Sequence, residues 1–589
     1  MKMPLRPFAL LAIGIFLWCN QAYAQVSLQR QRELLQHTLK EKLGANSAAS
    51  ANNALSSLLR TTGDDERLTS NPLEVDEGEV SIIVDPNDSN NLVASYMEQN
   101  RLGTLTFPIY YSSNAGKTWT NSTFNSIAIM NADFPGQEFA GGGDPAFAWD
   151  KKSGRLYFSW IYLTLNLIDT NLYFTLNWAY SDDKGNTWKV APDTAHFIGR
   201  GEIGGVSGNI INYKDGICDR EWLAVDNSNG PDQGNLYCSF VLFPADSVAT
   251  TKFGETVKTK RVADTVFGPA VNVYDGSTQF GNVEVDKKGK LHVSFGELDS
   301  QQIRHAYSTD GGASFSTSSV IDTGSNLFGG LALVHSRENS APNMIIDSAN
   351  NVHVVWSSYP NTVLSYYSRS TDGGINWSTP LNLNTLFGGN ETMMPTVASA
   401  GNNVTISFTE IDANDSAWYY QMRSSDNGKT FSKPVLLSSA PTYYPQYNST
   451  AYFFGDYNRA VSAGCNTYAA WSDGRDNLGP KIYFAKSNPC TTTGIQEISS
   501  INSSIQLQSL YPNPANDNVT LEISDSKNEN ITVTLSDITG RFIINQQYML
   551  HDGTQLIKLS FNKQLTAGSY ILSVKNNDGL VATRHLQVL

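Results

Sequence analysis

The chain has few charged residues, but several carboxylates and one tyrosine that could transfer protons occur in a few short segments. Charged residues make up 16% of the 589 residues, whereas about 25% is usual for soluble domains. Two neighbouring carboxyl groups can act as acid and base, or as acid and nucleophile, in cleaving a glycosidic bond. The candidate catalytic residues are Asp144, Asp219, Glu221, Asp456 and Tyr457.

Arginines in the same segments could hold an acidic sugar, because a guanidinium forms two parallel hydrogen bonds to a carboxylate. The candidate substrate-binding residues are Arg220, Arg337, Arg459 and Arg475. The long loops are expected to carry aromatic side chains suited to stacking on sugar rings, which are Tyr162, Trp178, Tyr359, Trp418, Tyr443, Tyr444 and Tyr457. The alternative is that these charges form structural ion pairs around a solvated channel.

A short pattern that recurs five times predicts the elements that position these residues. It reads Ser-x-Asp-x-Gly-x-Thr-Trp, as in the stretch from Ser181 to Trp188. The acidic or amide residue bonds nearby backbone N–H groups, the glycine takes a positive φ, and the aromatic ring packs back on a sheet. Its structural residues are Asn114, Asp183, Asp310, Asp372 and Asp426.

A second repeat precedes the first, and it consists of an apolar-x-apolar-Asp turn followed by an alternating strand. Its copies begin at Asp85, Asp150, Asp226, Asp286, Asp347, Ser399 and Ser462. Each unit supplies one four-stranded sheet, which must stack radially on its neighbours to bury both faces. We therefore expect an all-β fold, with residues 76–492 forming a β-propeller of seven blades, or of six if a terminal unit is a decoration. The site should lie on the face opposite the short turns, where the long loops are.

These repeats resemble those of the Asp-box (BNR-repeat) sialidase-like β-propellers. The resemblance implies a glycan site with three arginines, an Asp acid/base and a Tyr–Glu nucleophile pair, for which Tyr457 is the candidate tyrosine. The Phe-Arg-Ile-Pro motif of sialidases is absent, and the stretch from Glu77 to Ser81 is acidic where sialidases are basic. We therefore expect a glycoside hydrolase-type enzyme acting on complex glycans, but not a true sialidase. The alternative is a non-catalytic surface propeller that binds glycan or protein.

The two ends of the chain predict export. Residues 1–24 read as a signal peptide, with a basic start, an apolar run and a small-x-small site ending at Ala24. Residues 25–75 form a leader segment with an amphipathic helix expected over 27–43. A linker at 493–506 precedes a small β-sandwich at 507–589. Its opening at Tyr511, its Gly540-Arg541 turn and its strand from Gly568 resemble the C-terminal sorting domain of type IX secretion substrates. The alternative is an ordinary binding module.

Composition narrows the partners and cofactors. The net charge of −14 argues against a nucleic-acid partner, whose phosphates require a basic surface. A secreted or cell-surface protein that meets the type IX machinery and a glycan is expected, with no transmembrane segment. No cofactor or metal site is predicted, and Ca²⁺ in an acidic channel is only an option without a motif. The four cysteines beyond the signal peptide predict two disulfides, Cys218–Cys238 and Cys465–Cys490.

Overall fold

The protein is seen in a computed structural model that resolves into two compact units, one ending at Ser487 and the next beginning at Asn488. The described residues are 65–69, 75–100, 105–168, 171–193, 195–204, 209–212, 217–243, 254–324, 342–358, 363–387, 390–412, 416–443, 454–476, 479–488, 505–525, 528–537, 541–561, 565–576 and 579–588. The predicted signal peptide and leader helix lie outside them.

Strands make up nearly all regular structure in the described part of the first unit. They are β1 (Glu66–Arg67), β2 (Val75–Val84), β3 (Leu92–Asn100), β4 (Leu105–Thr106), β5 (Ile109–Ser112), β6 (Thr120–Asn121), β7 (Glu138–Trp149), β8 (Leu156–Leu165), β9 (Leu172–Ser181), β10 (Phe197–Gly204), β11 (Asn209–Asn212), β12 (Ile217–Val225), β13 (Leu236–Phe243), β14 (Gly254–Lys260), β15 (Val271–Asp275), β16 (Thr278–Val285), β17 (Leu291–Glu297), β18 (Gln302–Ser308), β19 (Ser319–Thr323), β20 (Asn343–Ile346), β21 (Val352–Ser358), β22 (Leu364–Ser370), β23 (Leu381–Asn382), β24 (Glu391–Ala400), β25 (Asn403–Ile411), β26 (Ser416–Ser424), β27 (Val435–Leu436), β28 (Thr442–Tyr443), β29 (Arg459–Ala463), β30 (Asn466–Asp473) and β31 (Lys481–Ser487). The helical elements are α1 (Ser126–Asp133) and a 3₁₀ turn (Leu383–Phe387). Neither is long and apolar enough to cross a membrane.

These strands form seven antiparallel sheets within the described ranges, each built from consecutive strands. The seventh sheet is completed by β1, which pairs with β31 and so ties the start of the described chain to the end of the unit. The first strands of the sheets are β2, β7, β12, β16, β20, β24 and β29. Each contacts the first strand of the next sheet, and β29 contacts β2, so the seven strands close a ring. The all-β propeller predicted from the repeats is confirmed.

Apolar side chains between neighbouring sheets hold the ring together. The second and third sheets share a core that includes Trp178, Leu223 and Phe240, all buried. Strand alternation explains this core, because successive side chains point toward the two neighbouring sheets. A blade therefore has two buried faces and few charges, as the composition indicated.

The five predicted turns share one hydrogen-bonded conformation. In the second sheet the Ser181 hydroxyl donates to Asp183 Oδ1 at 2.8 Å, and the Gly185 N–H donates to Ser181 Oγ at 2.9 Å. Gly185 has φ +89°, and a Cβ there would come within 2.7 Å of Val93 in the first sheet. The same bonds recur in the four other turns. All five turns follow the third strand of their sheet, so they lie on one face.

The second unit is a small β-sandwich. Its strands are β32 (Ile505–Tyr511), β33 (Asn518–Asp525), β34 (Glu529–Asp537), β35 (Phe542–Leu550), β36 (Gly553–Ser560), β37 (Gly568–Asn576) and β38 (Gly579–Val588). One sheet has the order β32-β33-β36 and the other β35-β34-β37-β38. Leu521, Val533 and Leu572 are among the fully buried residues between the sheets.

The predicted Cys218–Cys238 disulfide is wrong. Both cysteines are buried thiols on the neighbouring strands β12 and β13. Cys218 lies opposite Leu242, while Cys238 lies opposite Leu223. Four residues of strand therefore separate the two along the ladder, roughly 13 Å, whereas a disulfide needs Cα atoms within about 7 Å. Cys465 is disulfide-bonded, and Cys490, its predicted partner, lies outside the described residues, so that pairing stays a prediction.

Candidate functional site

The first strands of the sheets carry a repeated backbone irregularity. In each of five of them the pairing register shifts by a bulge, and one residue in the bulge takes a left-handed conformation. These residues are Glu79 (φ 51°), Asp144 (φ 53°), Arg220 (φ 56°), Phe280 (φ 61°) and Met394 (φ 48°). A left-handed residue other than glycine costs about 1–2 kcal/mol. Bulges of this kind re-aim side chains next to functional sites.

The bulges turn their side chains toward one group, here called the central cluster. Each bulge lies several residues before the end of a strand that ends at the face of the five turns, so the cluster lies away from that face. In the seventh sheet Gly455 (φ 84°) takes the place of a bulge, and a Cβ there would lie 2.3 Å from Glu79 N. The members of the central cluster are Glu79, Asp144, Asp219, Arg220, Glu221, Asp456 and Tyr457.

Arg220 joins the third sheet to the seventh across this cluster. Its guanidinium carbon lies 3.7 Å from the centroid of the Tyr457 ring, a cation–π contact. Burial lowers the pKa of Arg220, but the charges of its neighbours outweigh burial, so the pKa is raised overall. These neighbours are Tyr457, Asp144, Glu79 and Asp456. Among the described residues, its Nε and Nη1 have no hydrogen-bond acceptor, although the residue is only 5% exposed. Arg220 is therefore charged and has two nitrogen atoms, Nε and Nη1, available to a ligand.

Glu221 is held as a neutral acid. It is 1% exposed, and no other described residue donates a hydrogen bond to its carboxyl oxygens, although its own backbone N–H lowers its pKa. Burial raises the pKa of Glu221 well above its usual value, and the nearby Asp144 and Asp219 raise it further. Arg220 opposes this rise more weakly. Such surroundings favour the protonated form of a carboxyl group.

Tyr457 is likewise neutral. Burial raises the pKa of its hydroxyl well above the usual value, with Arg220 lowering it and Asp144 raising it. The phenol therefore offers Arg220 an aromatic face, and it is far from ionisation.

Arg459 forms a second layer below the central cluster. Its guanidinium carbon lies 4.3 Å from the Trp222 ring centroid, and its Nη2 lies 3.9 Å from Glu284 Oε1. Burial lowers the pKa of Arg459 to about 10 and raises that of Glu284 to about 7. The ring of Trp222 also meets Tyr457 edge-on, at 6.4 Å between centroids. The two arginines and two aromatic rings thus stack across the axis.

Arg475 has other partners. Its Nη2 lies 2.6 Å from Asp473 Oδ2 and 2.8 Å from Asp65 Oδ2, and Nη1 donates to Ser439 Oγ. Its guanidinium also stacks on Tyr483, 4.0 Å from the ring centroid. None of these residues belongs to the central cluster. Arg337, the fourth predicted arginine, lies outside the described residues.

Two aromatic residues predicted to stack on sugars are buried instead. Tyr162 lies in β8, and its hydroxyl donates a hydrogen bond to Asp133 Oδ2. The same oxygen lies 2.9 Å from His196 Nε2. Trp178 lies in β9, where its indole N–H donates to Ala195 O. The prediction took both for loop residues, but the strands of the second sheet extend further than the repeat indicated. Tyr359 and Tyr444, and the side chain of Tyr443, are outside the described part of the structure.

A small cavity opens between the third, fifth, sixth and seventh sheets at this point. Its lining includes Arg220, Trp222, Asn343, Met394, Asp456 and Tyr457. Met394 and Asn343 were not predicted, because the repeat does not distinguish the bulged position of Met394 from a paired one, and Asn343 carries no charge or ring. Within the described residues no group of three or more His, Cys, Asp or Glu side chains is placed to hold a metal ion.

A family model identifies the second unit. Residues 509–588 match the Secretion system C-terminal sorting domain. The C-terminal unit is therefore a type IX secretion sorting domain, and the protein is exported to the outer membrane surface or beyond. No curated protein matches the chain.

Solved structures with a similar fold were also found. A protein of unknown function from Dyadobacter fermentans is 16% identical, with 59% of this chain and 94% of that chain covered and a TM-score of 0.39. An intramolecular trans-sialidase from Ruminococcus gnavus is 12% identical, with coverage of 70% and 94% and a TM-score of 0.36. The polysaccharide lyase Uly1 is 10% identical, with coverage of 72% and 91% and a TM-score of 0.38. Likenesses at this level say nothing about activity.

Proposed function

We propose that the central cluster binds complex glycans and cleaves their glycosidic bonds. The observation that carries this proposal is the pair formed by Glu221 and Asp144. One carboxyl group is buried, receives no hydrogen bond from another described residue, and has a pKa raised well above its usual value. The other, Asp144, is partly exposed, and its charge raises the pKa of Glu221. Glycosidases use such unequal environments to separate an acid from a base.

In this proposal each member of the cluster has a distinct role. Asp144, in its ionised form, takes a proton from the water that attacks the anomeric carbon, and the departing sugar oxygen takes a proton from solvent. Glu221 lies next to Asp144 and does not react. Arg220 donates hydrogen bonds from Nε and Nη1 to sugar oxygens. Asp456, which lines the cavity with Arg220, accepts hydrogen bonds from hydroxyl groups of the bound sugar. Glu221 is thus a positioning residue, because it is too buried to touch a substrate.

A second candidate function is non-catalytic glycan binding on the same face. The state of Tyr457 favours it, since a sialidase-type nucleophile must ionise, and burial holds the pKa of this phenol well above its usual value. The guanidinium of Arg220 also covers one face of that ring. In this alternative the cluster recognises a sugar and performs no chemistry.

A panel of polysaccharides separates the two functions. Wild type, Asp144→Asn and Asp456→Asn are compared for release of reducing ends and for affinity. Catalysis predicts that wild type releases product and Asp144→Asn does not, although it still binds. Binding alone predicts no product from any variant. The matched control is Glu255→Gln, because Glu255 is an equally buried carboxyl without donors in the described structure, and burial alone, with no charge of the cluster, raises its pKa.

A control that loses activity as fully as Asp144→Asn would mean that burial, and not the cluster, matters. The proposal would be refuted if Asp144→Asn and Asp456→Asn both released product and bound glycan as wild type does.

We also propose the finer organisation of the chain. Residues 76–492 form a seven-bladed propeller of Asp-box repeats, preceded by a signal peptide at 1–24 and a leader at 25–75. A linker at 493–506 joins it to the sorting domain. Support comes from the shared hydrogen bonds of the five turns and from the closed ring of seven first strands.

A further inference from the structure

A second cavity, here called the axial pocket, lies toward the face of the five turns. Its volume is about 500 Å³, which is within the range of small-molecule sites, roughly 300–1,000 Å³. Residues near the ends of β2, β20 and β24 line it together with β29, and these are the first strands of four consecutive sheets around the ring. The lining residues include Ile83, Ile345, Ser399, Arg459 and Ser462.

The axial pocket is formed where two units depart from the apolar-x-apolar-Asp repeat. Serine replaces the aspartate in the sixth and seventh units, at Ser399 and Ser462. In each of these units the serine and the alanine and glycine that follow it all line the pocket. In the fifth unit, which keeps the aspartate, the Asp347 carboxylate accepts hydrogen bonds from two backbone N–H groups of its turn. The two replacements therefore leave small side chains, and no carboxylate, at this wall.

Arg459 gives the axial pocket a positive charge. Among the described residues that line the pocket, it is the one ionisable side chain, and it is 12% exposed. Its Nη1 has no hydrogen-bond acceptor in the described structure. Its Nη2 lies 3.9 Å from Glu284 Oε1, which is beyond hydrogen-bonding distance. The guanidinium therefore retains hydrogen-bonding capacity for an anion.

These features are complementary to a small anion with an apolar body. A carboxylate accepts charge-assisted hydrogen bonds from a guanidinium, and these are stronger than bonds between neutral groups. The isoleucine, valine and alanine side chains of the wall favour burial of hydrocarbon. A sugar would instead bury several hydroxyl groups against this apolar wall, which costs free energy.

We propose that the axial pocket binds a small monocarboxylate with a branched or aromatic body, and that the carboxylate lies against Arg459. A single negative charge is expected, because Glu284 lies beside the same guanidinium and would face a second one. The axial pocket is separate from the central cluster, so this site does not depend on the proposed glycan function.

Ligand-observed NMR titrations of the full-length exported protein at pH 6 test the proposal. The probes are 3-phenylpropanoate and 3-phenylpropanamide, which have the same body and differ in charge. Because hydrogen bonds between charged groups are stronger than neutral ones, the carboxylate should bind at least about tenfold more tightly than the amide. The proposal would be overturned if the carboxylate bound no more tightly than the amide, or if neither probe bound.

Two variants of the Arg459–Glu284 pair test whether the guanidinium causes the preference. Arg459→Gln should weaken binding of the carboxylate about tenfold, to the affinity of the amide. Glu284→Gln is the matched control and should keep the preference. Burial raises the pKa of Glu284 to about 7, so at pH 6 its carboxyl group is mostly protonated and a neutral glutamine resembles it. An equal loss in both variants would contradict the proposal, because disturbing the pair would then matter and the charge would not.

A third variant tests where the apolar body lies. Ala400→Phe places a ring at the end of β24, in the wall of the axial pocket, and should weaken binding of both probes. Thermal unfolding establishes that this variant is folded. A folded Ala400→Phe that binds both probes as wild type does would place them outside the axial pocket and overturn the proposal.

Discussion

Replacing Glu221 by glutamine should stabilise the propeller, and more so as the pH rises. The folded-state pKa of Glu221 is raised by burial, while the unfolded chain releases the proton near its ordinary pKa of about 4.5. A raised folded pKa contributes stability that is fully present below the unfolded pKa. That contribution is lost as the pH rises toward the folded pKa, by about 1.4 kcal/mol per pH unit. Between pH 5 and pH 6, the stability gained by Glu221→Gln should therefore grow by about 1.4 kcal/mol.

Denaturant unfolding followed by tryptophan fluorescence measures this difference in the propeller alone, because the sequence after Trp471 contains no tryptophan. The free energy of unfolding of Glu221→Gln relative to wild type is determined at the two pH values. Asp264→Asn serves as an exposed-carboxylate control, and its difference should stay within about 0.5 kcal/mol at both. A gain for Glu221→Gln that is equal at pH 5 and pH 6, or that shrinks at pH 6, would refute the neutral state assigned to Glu221.

Further predictions concern the turns, a histidine pair and the tyrosine of the cluster. Gly428→Ala should destabilise the propeller by more than about 2 kcal/mol, because its new Cβ would come within 1.9 Å of a tyrosine hydroxyl. Gly401→Ala, also at positive φ but in open space, should lower the free energy of unfolding by only about 1 kcal/mol. Thermal unfolding of the two variants and wild type measures both differences. Burial lowers the pKa of both His292 and His305, so below about pH 6.5 the unfolded chain binds protons that the folded chain does not. The free energy of unfolding, measured in denaturant at a series of pH values, should therefore fall as the pH drops below about 6.5. It should fall less steeply in His305→Gln. Tyr457→Phe should keep product release within about tenfold of wild type, since the ring acts as a platform for an arginine; complete loss would indicate a nucleophile.

The propeller could be predicted because its signals are local. A turn such as that at Asp183 needs a particular residue type at each of its positions, so five copies reveal five sheets directly. The alternating apolar pattern after Asp150 likewise predicts a strand of the next sheet. The sandwich was readable from short motifs around Tyr511 and Gly568.

The site was less predictable because its geometry depends on backbone irregularity. A register shift leaves no trace in residue type, so the left-handed positions of Glu79 and Met394 could not be anticipated. Sequence proximity also misled the pairing of Cys218 with Cys238, because adjacent strands placed them four residues apart in register. Tyr162 was taken for a loop residue because repeats give strand lengths only on average.

The most direct test of the glycan site is to see a bound sugar. A crystal structure of Asp144→Asn with an oligosaccharide from the panel should show sugar hydroxyls within about 3.2 Å of Arg220 and Asp456. Tyr457 should lie beneath the sugar, on the face opposite the five turns. An oligosaccharide bound only on the face of the five turns, or only on the sandwich, would contradict the central claim.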